Sequence, residues 1–109
     1  MNAQTPVDLG ALMKLIGDQY PFIQEKYPGA DLSTSEKIAA FAVRHSALHM
    51  AKNLGTIAAE AETHDHGKLM RPDQLEVAAV KMVINALNLA LSLGMTAEDV
   101  AEMIPKVLH

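Results

Sequence analysis

Residues 75–93 read LEVAAVKMVINALNLALSL. Within them Lys81, Asn85, Asn88 and Ser92 recur at steps of four, three and four. At 3.6 residues per turn these four positions fall in one narrow polar stripe. Nearly everything else is apolar: Leu75, Val77, Val80, Met82, Val83, Ile84, Leu87, Leu89, Leu91 and Leu93. The spacing predicts an α-helix that is apolar around most of its circumference, and such a helix is buried on more than one side. A chain this short offers only one core, so the reading predicts a second copy covering the remaining face, in a homodimer or a tetramer. The interruptions at Lys81, Asn85 and Asn88 argue against a membrane span.

The rest of the chain is read outward from that helix. It has 109 residues, half of them apolar, a formal charge of −4 and no cysteine. One all-α domain is expected, because Ala, Leu and Met supply the apolar mass and aromatics are few. No cluster of Lys and Arg exists to track a phosphate backbone, so nucleic acid is not an expected partner. Disulfides and thiolate metal sites are excluded. The first residues, with Asp8 and no basic and apolar run, do not read as a signal peptide, and a cytoplasmic protein is expected.

Four helices are expected, the second and third long and antiparallel. The first spans about Val7 to Lys26, bent or broken at Pro21 and closed by Tyr27-Pro28-Gly29. The second opens at Ser33 to Ser35, where Ser33 and Glu36 form a capping box, and runs to about Glu62. Gly55 in its interior suggests a close helix approach. His64 to Met70 is a polar loop. Pro72 opens the third helix and Gly94 stops it. Thr96 and Asp99 cap the fourth, which Pro105 limits. The whole of 1–109 is one domain, with an N-terminal helical part over 1–30 and a helical core over 33–105.

The second helix carries its own polar stripe: His45, His49, Lys52 or Asn53, Thr56 and Glu60. Two such stripes either line a cleft between antiparallel helices or form the two solvent faces of a bundle. The third helix suits a cleft better, since Asn, Asn and Ser lack the charge of a solvated face.

The run Asn85-Ala-Leu-Asn88-Leu-Ala-Leu-Ser-Leu-Gly94-Met-Thr-Ala-Glu-Asp-Val100 resembles the second half of MazG-like nucleoside triphosphate pyrophosphohydrolases. His49-Met-Ala-Lys-Asn-Leu54-Gly55-Thr-Ile-Ala58 resembles that family's first long helix, and the similarity extends over about Ser35 to Pro105. It implies an all-α dimer or dimer of dimers. Active members hold Mg²⁺ on a Glu-Glu-x-x-Glu pattern in one helix and a Glu-x-x-Asp pattern in the next. Here the first pattern falls on Lys52, Asn53 and Thr56 and the second on Ala78 and Lys81, with no carboxylate among them. Asn88 matches the family's internal Asn. The resemblance thus implies a catalytically degenerate member, a pseudoenzyme serving as an oligomeric nucleotide-binding or regulatory module.

In that module Lys52 and Lys81 would meet an anionic ligand directly, with Asn53, Thr56, Asn85 and Asn88 around it. An alternative retains pyrophosphohydrolase activity, with Mg²⁺ on Glu60, Glu62 and Glu76 if the register shifts by a few residues. A second alternative is a histidine metal site on His45 and His49, spaced i, i+4. His64 and His66 follow in the loop, with His64 ~22 Å from His49 along the helix axis, so one chain joins the pairs only if the helix ends early, or a subunit interface brings them together. Thr63-His64-Asp65-His66-Gly67-Lys68 resembles the metal-binding stretch of HD-type phosphohydrolases, but the next helix lacks the required Asp, so a polar turn is expected. A last alternative is a structural oligomer with Met50, Met82, Met95 and Met103 as adaptable packing.

Overall fold

A computed structural model describes residues 8–108. The fold is all-α, with four helices among the described residues: α1 (Leu9–Gln19), α2 (Ser35–Asp65), α3 (Pro72–Ser92) and α4 (Ala97–Val107). α2 and α3 lie along each other, and α1 rests on α3 and touches α4. The short connection from α2 to α3 makes these two helices antiparallel.

Local chemistry sets the ends. Asp8 caps α1 by accepting from the Ala11 N–H at 3.1 Å. α1 ends before Pro21 instead of continuing to Lys26, because the proline has no N–H to extend the ladder; Val7 lies outside the described residues. Thr34, and not Ser33, caps α2: its hydroxyl accepts from the Lys37 N–H at 3.2 Å. Ser33 is held by Asp31, which accepts from its N–H and its hydroxyl. α2 runs three residues past Glu62, so His64 and Asp65 form its last turn and the polar connection begins at His66. Pro72 occupies the first turn of α3. Gly94 follows α3 at φ 81°, a left-handed conformation that only glycine adopts without strain. The Thr96–Asp99 capping box opens α4 as expected, and Pro105 sits inside that helix, which ends two residues later.

The interior is unusual in what it holds. The buried apolar residues are Met13, Ile16, Leu32, Ala42 and Ala78, and beside them Ser46, Asn53, Glu60 and Asn88 are buried as well. The polar stripes of α2 and α3 therefore turn towards each other. The valines of α3 point away: Val77, Val80 and Val83 are 52%, 58% and 56% exposed. On α2, Val43 and Leu54 are also exposed. Val43, Ala47, Met50, Leu54, Ala58 and Ala61 recur at helical spacing on one side of that helix. Gly55 has nothing within 4 Å of a Cβ added to it, so its expected close approach does not occur within this chain. One copy does not wrap α3.

The surface area measures the shortfall. The chain exposes 8034 Å², where a folded monomer of 11.7 kDa exposes about 5,900 Å². The eight terminal residues outside 8–108 would add at most about 1,300 Å² even if fully extended. About 800 Å² of excess therefore belongs to the described residues, helices and connections together, a size comparable to what one partner contributes to a standard protein interface. By length and composition α3 is also apolar enough to cross a membrane, with mean hydropathy 1.5 over 18 residues, of which 11% are buried. Lys81, Asn85 and Asn88 do not remove it from that class, because they are too few to offset the apolar residues around them.

Candidate functional site

The facing stripes enclose a cleft of about 260 Å³. α2 contributes His45, His49, Lys52 and Asn53; α3 contributes Lys81, Ile84, Asn85 and Asn88. The irregular connection between α1 and α2 supplies three more side chains, Tyr20, Phe22 and Tyr27.

That connection is held in place by two amides. Gln24 donates to the carbonyls of Tyr27 at 3.1 Å and Ala30 at 2.6 Å, and its Oε1 accepts from the Leu32 N–H at 3.0 Å. Asn88 Nδ2 donates to the Tyr20 carbonyl at 3.2 Å, tying the connection to α3 across 68 residues of sequence. Asn88 is thus the residue that anchors the aromatic segment. Asn85 Nδ2 donates to the Lys81 carbonyl at 2.7 Å and Ser92 to the Asn88 carbonyl at 2.9 Å. The Asn85 and Asn88 side chains donate in these bonds, so both amide oxygens remain available as acceptors.

The rings form one cluster. Tyr27 lies 4.8 Å from Phe41 and 5.0 Å from His45, centroid to centroid; Phe22 meets Phe41 edge-on at 5.9 Å; His45 stacks on Phe41 at 5.2 Å. His49 is next, 4.4 Å from His45. Burial pushes the His45 imidazole below its ordinary pKa, and the neighbouring His49 pushes it further. At neutral pH the His45 ring within this cluster is therefore uncharged.

The two lysines lie towards the other end. His45 and Lys52 are separated by ~10 Å along α2. The pair Glu60–Arg71 sets the antiparallel register, and counting back from it brings Lys52 to within about a turn of Lys81 and His45 to within about a turn of Asn88. Among the described residues lining the cleft, Lys52 and Lys81 are the charged ones, and no carboxylate joins them. Thr56, expected beside them, does not line the cleft; its hydroxyl donates to the Lys52 carbonyl at 3.4 Å.

The carboxylates named for Mg²⁺ do not converge. Glu60 is 2% exposed, yet both its oxygens are taken. Oε1 accepts the Arg71 backbone N–H at 2.8 Å, and Oε2 accepts the Arg71 Nε and Nη2 at 3.0 and 2.6 Å. These bonds hold the Glu60 carboxyl below its usual pKa and raise that of Arg71. Glu62 is exposed about 160° further round α2 from Glu60, and Glu76 is exposed on the outer face of α3. No group of three His, Asp or Glu among the described residues is placed to hold a metal ion. His45 and His49 adjoin each other but have no third ligand; His64 and His66 are at the far end of α2.

The helical pattern located the polar side chains. The aromatic segment escaped it, because Tyr20, Phe22 and Tyr27 sit outside any periodic run. A signal was present: all four aromatic residues of the chain fall between positions 20 and 41.

No family model matches the chain. No curated protein and no solved structure matches it either.

Proposed function

We propose that this protein binds small phosphate-bearing anions, nucleotides among them, in the cleft between α2 and α3, and that it works as an assembly of identical chains. In this reading it is a MazG-like helical protein whose metal-holding positions have been converted to a direct anion site. It binds and does not hydrolyse. The observation that carries the reading is the cleft's charge: two lysines, three Asn side chains and no carboxylate. A protonated lysine repels a divalent cation and attracts a phosphate, so the chemistry of these positions is inverted relative to a Mg²⁺ site.

Assembly is supported by the outer faces of α2 and α3. Val77, Val80 and Val83 on α3 and Val43 and Leu54 on α2 are exposed together, and such a run of exposed apolar side chains marks an interaction surface. A bilayer would cover α3 equally well, but α2 runs along it with exposed Arg44 and Glu62 flanking its apolar face, which hydrocarbon excludes. A second copy accommodates such charges at its rim.

Calorimetric titration with pyrophosphate, with and without Mg²⁺, tests the site. Binding that needs no Mg²⁺ and is lost in the Lys52→Glu/Lys81→Glu variant is expected. Binding that requires Mg²⁺, or release of pyrophosphate from a nucleoside triphosphate, would overturn the reading. Sedimentation without detergent tests the assembly: a discrete oligomer is expected, while a monomer, or recovery only in detergent, counts against it.

A further inference from the structure

The cleft has two chemically different ends, and each limits what fits. If the cleft binds anions as proposed above, these two ends also define the class of ligand. At one end the rings of Tyr27, His45 and His49 line the cleft, Tyr27 at 5.0 Å and His49 at 4.4 Å from His45, with Phe22 and Tyr20 beside them. Flat conjugated rings stack on such a platform, and stacking tolerates many ring identities. At the other end two ammonium groups supply a charge of about +2.

A single phosphomonoester carries about −1.5 to −2 at neutral pH and would be balanced by that pair alone. A triphosphate carries roughly twice that charge and is ordinarily bound with Mg²⁺, which takes carboxylate ligands. The residues lining this cleft offer none. Size argues in the same direction: about 260 Å³ lies just below the usual range of ligand pockets, about 300 to 1,000 Å³. The ~10 Å between the His45 and Lys52 levels is spanned by a ring, a sugar-sized spacer and one phosphate. The Asn85 and Asn88 amides line the cleft near the ring end and Asn53 lines it near the lysines, so an amide at either end can meet the hydroxyls of such a spacer.

We infer that the cleft takes a flat conjugated ring carrying one phosphomonoester, the chemistry of a nucleoside monophosphate, in preference to a di- or triphosphate. The site then selects by charge balance at the lysines and by stacking at the rings, with the rise of α2 from His45 to Lys52 setting the distance between them.

Calorimetry with AMP, UMP, ATP, adenosine and glycerol 3-phosphate, all without divalent metal, tests this. AMP and UMP are expected to bind at least tenfold tighter than either glycerol 3-phosphate, which lacks the ring, or adenosine, which lacks the phosphate. ATP is expected to bind more weakly than AMP. Tyr27→Leu should remove the advantage of AMP over glycerol 3-phosphate while leaving the latter's affinity alone. Lys52→Gln, on an exposed side chain, should weaken both phosphates and leave adenosine alone, with an unchanged melting curve. If ATP binds as tightly as AMP, or glycerol 3-phosphate does, the ligand class is wrong while the anion cleft survives. If none of the phosphate compounds binds at millimolar concentration, the cleft reading itself fails and this inference with it.

Discussion

Val83→Glu separates the isolated chain from the assembled protein. In one copy Val83 is 56% exposed, on a helix face with no neighbour. Within a lone chain the substitution should therefore be harmless: glutamate has the better helix propensity, by a few tenths of a kcal/mol. In an assembly paired through this face the result reverses. Fully burying a valine is worth ~1.5–3 kcal/mol, and about half of that, ~1 kcal/mol, is still to be gained at Val83. A carboxylate buried in its place without a partner costs ~3 kcal/mol or more. Two-fold symmetry counts each effect twice, so the dimer loses well over ~5 kcal/mol, more than a thousandfold in Kd. Sedimentation velocity over a micromolar concentration series reads this directly. Wild type should run as an oligomer with a concentration-dependent melting temperature, and Val83→Glu should run as a monomer that remains helical. A variant that sediments and melts like wild type would refute the assignment of this face.

Other substitutions probe single features. Arg71→Ala strips the partner from the buried Glu60 carboxylate, so its melting temperature should fall below that of Arg71→Leu/Glu60→Leu, which removes both charges; equal melting would deny the pair its structural role. Because Arg71 holds the Glu60 carboxyl below its ordinary value of 4.5, the pair's stabilisation is full above that pH and is lost as pH falls through the lowered folded value. Glu60→Gln should lack this acid-dependent loss in a pH series of thermal melts. His45 acts on a different window. Its imidazole in the folded chain titrates below the ordinary 6.5, so the unfolded chain binds the extra proton first and stability should decline as pH drops below about 6.5. His45→Phe should flatten that decline. Gly94→Ala, at φ 81°, should cost about 1–2 kcal/mol in denaturant melts, and a neutral result would contradict the left-handed cap. Gly55→Ala meets nothing within 4 Å in this chain and should stabilise α2 by about 1 kcal/mol; a loss would mean another copy packs at that point.

How much was legible followed from periodicity. The polar stripe at Lys81, Asn85, Asn88 and Ser92 specified helix and face together, and it left the facing of the α2 stripe as one of two arrangements, of which the structure has the cleft. Helix ends were legible where one residue alone decides, as at Pro72, Gly94 and the Thr96–Asp99 box. They were not where two residues compete: Ser33 and Thr34 are both competent caps, and Asp31 captured the serine. The pairing of Glu60 with Arg71 was invisible, because their separation of eleven residues spans a turn whose geometry no helical period contains. That pairing is also what removes Glu60 from the metal-ligand candidates. The aromatic wall was missed for a similar reason: Tyr20, Phe22 and Tyr27 reach the cleft through a loop folded by the Gln24 and Asn88 amides, and non-periodic folding leaves no repeat to read.

If a second copy covers the outer face, as proposed, a chain that keeps its amides inside and its valines outside has an unusual life before the two meet. The newly made subunit presents an adhesive strip, and each encounter with a membrane or an unrelated chain competes with the correct one. Dilution, the ordinary remedy for poor refolding, would then starve the pairing that hides the strip. Recovery should improve as the protein is concentrated, up to the point where pairing outruns loss, so synthesis of this protein in bursts would favour its maturation over slow, sparse production.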